Sequence, residues 1–170
     1  RLAPSRQDVI YALSAGNANG QGLLAVFRSD SSGDPGSWTA TVRGTDADPV
    51  NSILLANPIA AHERDCFPDE PDASNQLVNM GWYANVIAVD PRNPDRLWAG
   101  GVDVFRSDDG GRTWGIASYW WPGTDEPSYA HADLHAIVFD PRFDDASNTT
   151  MFLGNDGGVF KTTNALAATA

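Results

Sequence analysis

Arg106-Ser107-Asp108-Asp109-Gly110-Gly111-Arg112-Thr113-Trp114 reads as a tight turn joining two strand-like runs, Val102 to Ser107 and Thr113 to Ser118. Its adjacent glycines permit the positive φ that a sharp reversal needs. Asp109 is placed to accept hydrogen bonds from turn amides, and Trp114 offers a large ring to pack beneath them. The runs on either side are short and rich in β-branched and aromatic residues, as strands are.

The turn belongs to a repeat. Val86-Ile87-Ala88-Val89-Asp90-Pro91-Arg92 resembles Ala136-Ile137-Val138-Phe139-Asp140-Pro141-Arg142 at an offset of 50. Leu97-Trp98-Ala99-Gly100 aligns with Phe152-Leu153-Gly154-Asn155, and Val104-Phe105-Arg106-Ser107 with Val159-Phe160-Lys161-Thr162, both at an offset of 55. The extra five residues fall in the loop from Phe143 to Thr150, where an insertion costs little. Upstream, Phe27-Arg28-Ser29-Asp30 copies Phe105-Arg106-Ser107-Asp108, and Ile10-Tyr11-Ala12 echoes Leu97-Trp98-Ala99. In the best-preserved unit the pattern predicts strands at Asn85–Val89, Arg96–Ala99, Val102–Ser107 and Thr113–Ser118.

Repeats of about 50 residues holding four short strands have the dimensions of propeller blades. The expected fold is therefore all-β, a β-propeller of four-stranded antiparallel blades and a fragment of a larger ring. Residues 7–43 supply strands two to four of one blade, its first strand lying upstream. Residues 82–121 supply a complete blade and 131–163 an incomplete one, with further blades or neighbouring chains covering the exposed edges. Residues 44–81 have no repeat counterpart and read as an inter-blade loop insertion, with a short helix near Ser52–Ala61 and the run His62 to Asp72.

Composition narrows the function. The 170 residues include 11 basic and 22 acidic side chains, a net charge of -11, and Lys161 is the single lysine. Such a chain lacks the cations that phosphate backbones or anionic membranes require. Six tryptophans and an apolar fraction of 42% belong to a packed domain. The one cysteine, Cys66, allows no disulfide within the chain and no cysteine-based zinc site, and no activating partner accompanies it in sequence. No apolar run is long enough for a membrane span. Acidity suits an extracellular or cell-surface setting, the periplasm included.

Ser107, Asp109, Gly111, Thr113 and Trp114 occupy the positions of the pattern Ser/Thr-x-Asp-x-Gly-x-Thr-Trp, so this turn resembles the Asp-box, or BNR repeat. Ser29 to Trp38 resembles a box with an insertion, and Lys161-Thr162-Thr163-Asn164 the start of a third. Similar boxes occur in sialidases, xyloglucan-active glycoside hydrolases, sortilin-type ectodomains and a photosystem assembly factor. The resemblance implies a propeller whose boxes are structural turns on the face away from the active centre. Sialidases are set aside because their Phe/Tyr-Arg-Ile-Pro motif has no match, and Arg28 and Arg106, which precede boxes, read as scaffold.

The opposite face carries the candidate chemistry. Extended, His131-Ala132-Asp133-Leu134-His135 would put His131, Asp133 and His135 on one side, near Asp156 in the turn Gly154–Gly158. Three readings follow: a divalent metal held by His131, His135 and Asp133, with Asp156 as a further ligand; a polar sugar- or peptide-binding centre; or a tie between blades made by bonds to backbone. At the equivalent positions the complete blade has Gly81, Tyr83 and Asn85, so the cluster is no general scaffold requirement. Trp120 and Trp121, followed by Asp125 and Glu126, either stack on sugar rings or seal an inter-blade core. The expected function is a carbohydrate- or protein-binding module. The alternatives are a glycoside hydrolase using paired carboxylates from separate blades, with Asp133 or Asp156 as candidates, and a structural subunit of an extracellular assembly.

Overall fold

The computed structural model describes residues 2–4, 8–16, 21–57, 78–121 and 124–169. Strands β1 (Leu2–Pro4), β2 (Ile10–Ala15), β3 (Leu23–Ser29) and β4 (Thr39–Arg43) form an antiparallel sheet in chain order. A short helix, α1 (Pro49–Ile53), and the two-residue strands β5 (Ala56–Asn57) and β6 (Val78–Asn79) follow. The second sheet holds β7 (Val86–Val89), β8 (Leu97–Gly100), β9 (Val104–Ser107) and β10 (Gly115–Ser118). The third holds β11 (Leu134–Phe139), β12 (Met151–Asn155) and β13 (Gly158–Thr162). The described fold is thus nearly all β, in consecutive antiparallel sheets of four, four and three strands. No helix among the described residues is long and apolar enough to cross a membrane.

The turns explain where the strands stop. Asp90 takes hydrogen bonds from the Arg92 and Asn93 amides and from Arg96, closing the reversal between β7 and β8. Asp140 repeats that bond with the Arg142 amide after β11. In the 106–114 turn, Asp109 Oδ1 accepts from the Arg112 and Thr113 amides at 2.9 Å, and Oδ2 from the Thr113 hydroxyl at 2.8 Å. Gly110 and Gly111 have φ of +77° and +83°, as expected of them. The Trp114 indole donates to the Gly111 carbonyl at 3.1 Å, and Trp38 makes the same bond to Gly33. Ser31 replaces the box aspartate in that first turn, and Ser29 receives the Ser31 and Gly33 amides as Ser107 receives those of Asp109 and Gly111.

Two apolar layers join the sheets. Tyr11, Leu13 and Val26 pack on Leu97, Phe105 and Trp114 between the first and second. Trp98, Val104, Leu134, Ile137 and Leu153 form the layer between the second and third. Because β8 lies between both layers, all four of its residues are buried, which accounts for its unbroken apolar run. The arginines before the turns also bridge sheets. Arg28 pairs with Asp95, and Arg106 donates to the Ala165 and Ala167 carbonyls.

Three expectations are corrected. The strands expected at 7–43 gain a fourth, because Leu2–Pro4 pairs with Ile10–Ala12. The helix starts earlier than expected, at Pro49, because Asp48 caps it by accepting from the Val50 amide. In the third sheet, Ile137 pairs with Leu153 and Phe139 with Met151, as Ile87 pairs with Ala99 and Val89 with Leu97. The structural equivalents of Leu97 and Ala99 are therefore Met151 and Leu153, one residue earlier than the sequence alignment places them. A one-residue slip exchanges the two faces of a strand, and this one turns the apolar residues of β12 inward. The compensating residue sits in the β12–β13 turn beside Asp156. The run His62 to Asp72, with Cys66, lies outside the described residues.

Candidate functional site

The β12–β13 turn meets the lead-in to β7 and the start of β11 at one end of the sheets. Asp156, at the tip of that turn, accepts from His135 Nε2 at 2.8 Å and from the Tyr83 hydroxyl at 3.0 Å through each carboxylate oxygen. The Tyr83 and His135 rings meet edge to face, with centroids 4.8 Å apart. Trp82 stands next to Tyr83 at 5.4 Å and is 64% exposed, while Tyr83 itself is 42% exposed. An indole, a phenol, an imidazole and a carboxylate thus share a patch open to solvent.

His131 and Asp133 flank this group, but not as an extended strand would hold them. Asp133 has φ of +65°, a left-handed conformation, and β11 begins only at Leu134, with a register irregularity between Leu134 and Ala136. The expected alternation of His131, Asp133 and His135 along one face is therefore incorrect: the chain turns at Asp133 and bulges at His135. The His131 ring instead lies over Gly157, where an added Cβ would stand 2.5 Å from its Cγ. Its carbonyl accepts from the Asn155 side chain at 2.9 Å. Among the described residues, no three His, Cys, Asp or Glu side chains are grouped to hold a metal ion. The His131–Asp133–His135 metal site is accordingly not assembled there.

The two carboxylates differ in proton affinity. The hydrogen bond from His135 holds Asp156 below the usual carboxylate range against some burial, and Tyr83 assists. Burial raises Asp133, and the Asp156 charge raises it further against the two histidines. The bond to Asp156 also raises the Tyr83 phenol. The arrangement can hold an ionised acceptor beside a carboxyl group that keeps its proton more readily.

Trp120 and Trp121 are placed in a separate group. The Trp120 amide donates to Asp103 at 3.0 Å, and Trp121 stacks edge-on against Tyr119 with 52% of its surface exposed. Asp103 is buried between Val102 and Val104, and burial pushes its carboxyl up to about 6 against the opposing Trp120 bond. Sequence reasoning does not single out Trp82 and Tyr83 as site residues. Their signal is an aromatic pair just before a first strand, at the repeat position where the third unit carries its histidines. Ser107, Asp109, Gly111, Thr113 and Trp114 are held in the 106–114 turn by bonds among themselves.

No protein-family model matches the chain, and no curated protein matches it. Among solved structures, the GH74 enzyme of Niastella koreensis is similar, with a TM-score of 0.55 and 22% identity over 99% of this chain. The chain spans 22% of that enzyme's length. The likeness supports a propeller-like arrangement of the sheets.

Proposed function

We propose that this chain is part of an Asp-box β-propeller, exported to the cell exterior, that binds carbohydrate through the Trp82–Tyr83–His135–Asp156 patch. One observation carries the reading: solvent-open indole and phenol rings stand beside an ionised carboxylate already oriented by two hydrogen bonds. Apolar ring faces of sugars stack on exposed aromatics, and a fixed carboxylate accepts from their hydroxyls. The fold likeness to a GH74 enzyme favours a glycan over a protein ligand. Binding of plant and bacterial oligosaccharides, measured by calorimetry on the wild type and on Trp82→Ala, tests it. Equal affinity in both proteins removes the patch from the reading.

A second reading, glycoside hydrolysis, rests on the opposed shifts of Asp133 and Asp156. An acid that keeps its proton and a partner that has lost its own are what such a reaction requires. Asp133 would protonate the leaving oxygen and Asp156 would act as base or nucleophile. Release of reducing ends that disappears in both Asp133→Asn and Asp156→Asn supports this reading, and binding without release supports the first.

A further inference from the structure

The patch around Asp156 is rich in hydrogen-bond acceptors and poor in donors. Asp156 Oδ1 accepts from His135 Nε2 at 2.8 Å, and the Tyr83 hydroxyl proton lies between both carboxylate oxygens at 3.0 Å. An ionised carboxylate has about four lone-pair positions, so about two are left for a ligand. Because that carboxylate only accepts, Nε2 carries the His135 proton, and Nδ1 of the neutral ring is a further acceptor. The Tyr83 hydroxyl has its proton engaged with Asp156 and offers only its oxygen. Asp133 adds a second carboxyl, near enough for the Asp156 charge to act on it. Among the described residues, the side-chain donor this group keeps open is the indole of Trp82.

The surrounding charge has the same sense. The chain carries a net charge of -11. Arg28, Arg96, Arg106 and Arg142 pair with aspartates at the opposite end of the sheets. Among the described residues no arginine or lysine pairs with Asp156, whose ion-pair partner is His135. A uronate or a sulfated sugar would therefore meet repulsion without a compensating cation. A neutral hydroxyl can donate to Asp156, but its own lone pairs find few donors. An ammonium group has three donors and no acceptor, so the patch satisfies it completely. The open faces of Trp82 and Tyr83, with centroids 5.4 Å apart, also attract a cation.

We propose that the patch takes the protonated amine of an amino sugar, and that the glycan it selects is a glucosamine-type polysaccharide with free amino groups. The inference rests on the carbohydrate reading of the same patch. The sugar ring stacks on Trp82, and its ammonium reaches Asp156 beside the Tyr83 ring. N-acetylation removes the charge and adds a carbonyl that this acceptor-rich surface cannot satisfy.

The test is calorimetry at about pH 6, below the range in which such an amine loses its proton. The ligands are a β-linked glucosamine trimer, its fully N-acetylated form, and the glucose trimer of the same linkage. The glucosamine trimer should bind at least about tenfold more tightly than either, through the ring contact and a charge-assisted bond. Trp82→Ala leaves the net charge unchanged and should weaken it at least about fivefold. Asp156→Asn should abolish its binding. Asp34→Asn, which removes one charge from an exposed turn at the other end, should leave its affinity unchanged. Equal affinity for the glucosamine and glucose trimers, lost for both in Trp82→Ala, overturns this inference and leaves the carbohydrate reading standing. No binding of any trimer overturns both. An equal loss in Asp34→Asn and Asp156→Asn overturns it, because bulk charge is then the attraction. Tri-lysine bound as tightly as the glucosamine trimer also overturns it, since the patch then selects a cation and not a sugar.

Discussion

Replacing Asp103 by asparagine should stabilise the protein at neutral pH and leave it little changed near pH 4. Asp103 is 3% exposed and sits in the turn between β8 and β9, where its carboxylate receives the Trp120 amide at 3.0 Å. Burial raises its carboxyl from the ordinary 3.8 to about 6. At about 1.4 kcal/mol per pH unit, that rise corresponds to about 3 kcal/mol of opposition to the ionised form in the fold. The folded protein therefore keeps a proton in a range where the unfolded chain has released it. Stability from this group is fully present below about pH 4, declines as pH rises through 6, and is absent above that. Asparagine retains an oxygen to accept from Trp120 and carries no charge. The difference in unfolding free energy between Asp103→Asn and wild type should rise from near zero at pH 4 towards about 3 kcal/mol at pH 8, less whatever the buried amide loses in imperfect bonding. In a domain of this size that is about 6–12 °C in Tm. Urea unfolding of both proteins at pH 4 to 8 measures it, and groups common to both cancel in the difference. A difference that stays constant across the range refutes the reasoning, because Asp103 would then not be titrating between those values.

Trp114→Ala, which empties a 7% exposed indole site between two sheets, should cost about 3–5 kcal/mol in urea unfolding, and Trp38→Ala clearly less because its ring is only half-buried. Gly111→Ala combines φ of +83° with a Cβ 3.0 Å from the Thr41 hydroxyl, so a loss of about 1–2 kcal/mol is expected by the same measurement. Gly157→Ala displaces the His131 ring and should weaken oligosaccharide binding several-fold, read by calorimetry, while the second sheet keeps its amide protection. Asp156→Asn should abolish that binding without moving Tm appreciably, since its carboxylate lies on the open patch.

Most of the second sheet is legible in the amino-acid sequence. The strands expected at 85–89, 96–99, 102–107 and 113–118 are found at Val86–Val89, Leu97–Gly100, Val104–Ser107 and Gly115–Ser118. The reason is local: Asp-Pro and Gly-Gly pairs mark the reversals regardless of what packs above them. The strand β1 is not legible, because three residues ending in proline carry no period, and proline is tolerated there only at a sheet edge. Nor is the alignment of β12, where sequence likeness and sheet register differ by one residue that only pairing reveals. At the site, the sequence pattern rightly brings His135 and Asp156 together, whereas Tyr83 comes from 73 positions away and is joined only by the packing of neighbouring sheets.

Several departures of the third unit from the repeat meet at one place. Between the paired residues Gly154 and Val159 the β12–β13 connection has one more residue than its counterpart between Gly100 and Val104. That extra residue lifts Asp156 to the tip of the turn, within reach of Tyr83 across the sheet boundary. Gly157 leaves room for the His131 ring, and Asp133, in a left-handed turn, lies near enough for the Asp156 charge to raise its carboxyl. A longer β12–β13 connection, a non-glycine residue at positive φ and, from the lead-in to β7, an exposed aromatic pair come together at this end of the sheets. Local rules broken together at one end of a regular scaffold mark a place kept for interaction rather than for folding. The patch around Asp156 is therefore where ligand contact is best sought, and the regular 106–114 turn is where stability is best tested.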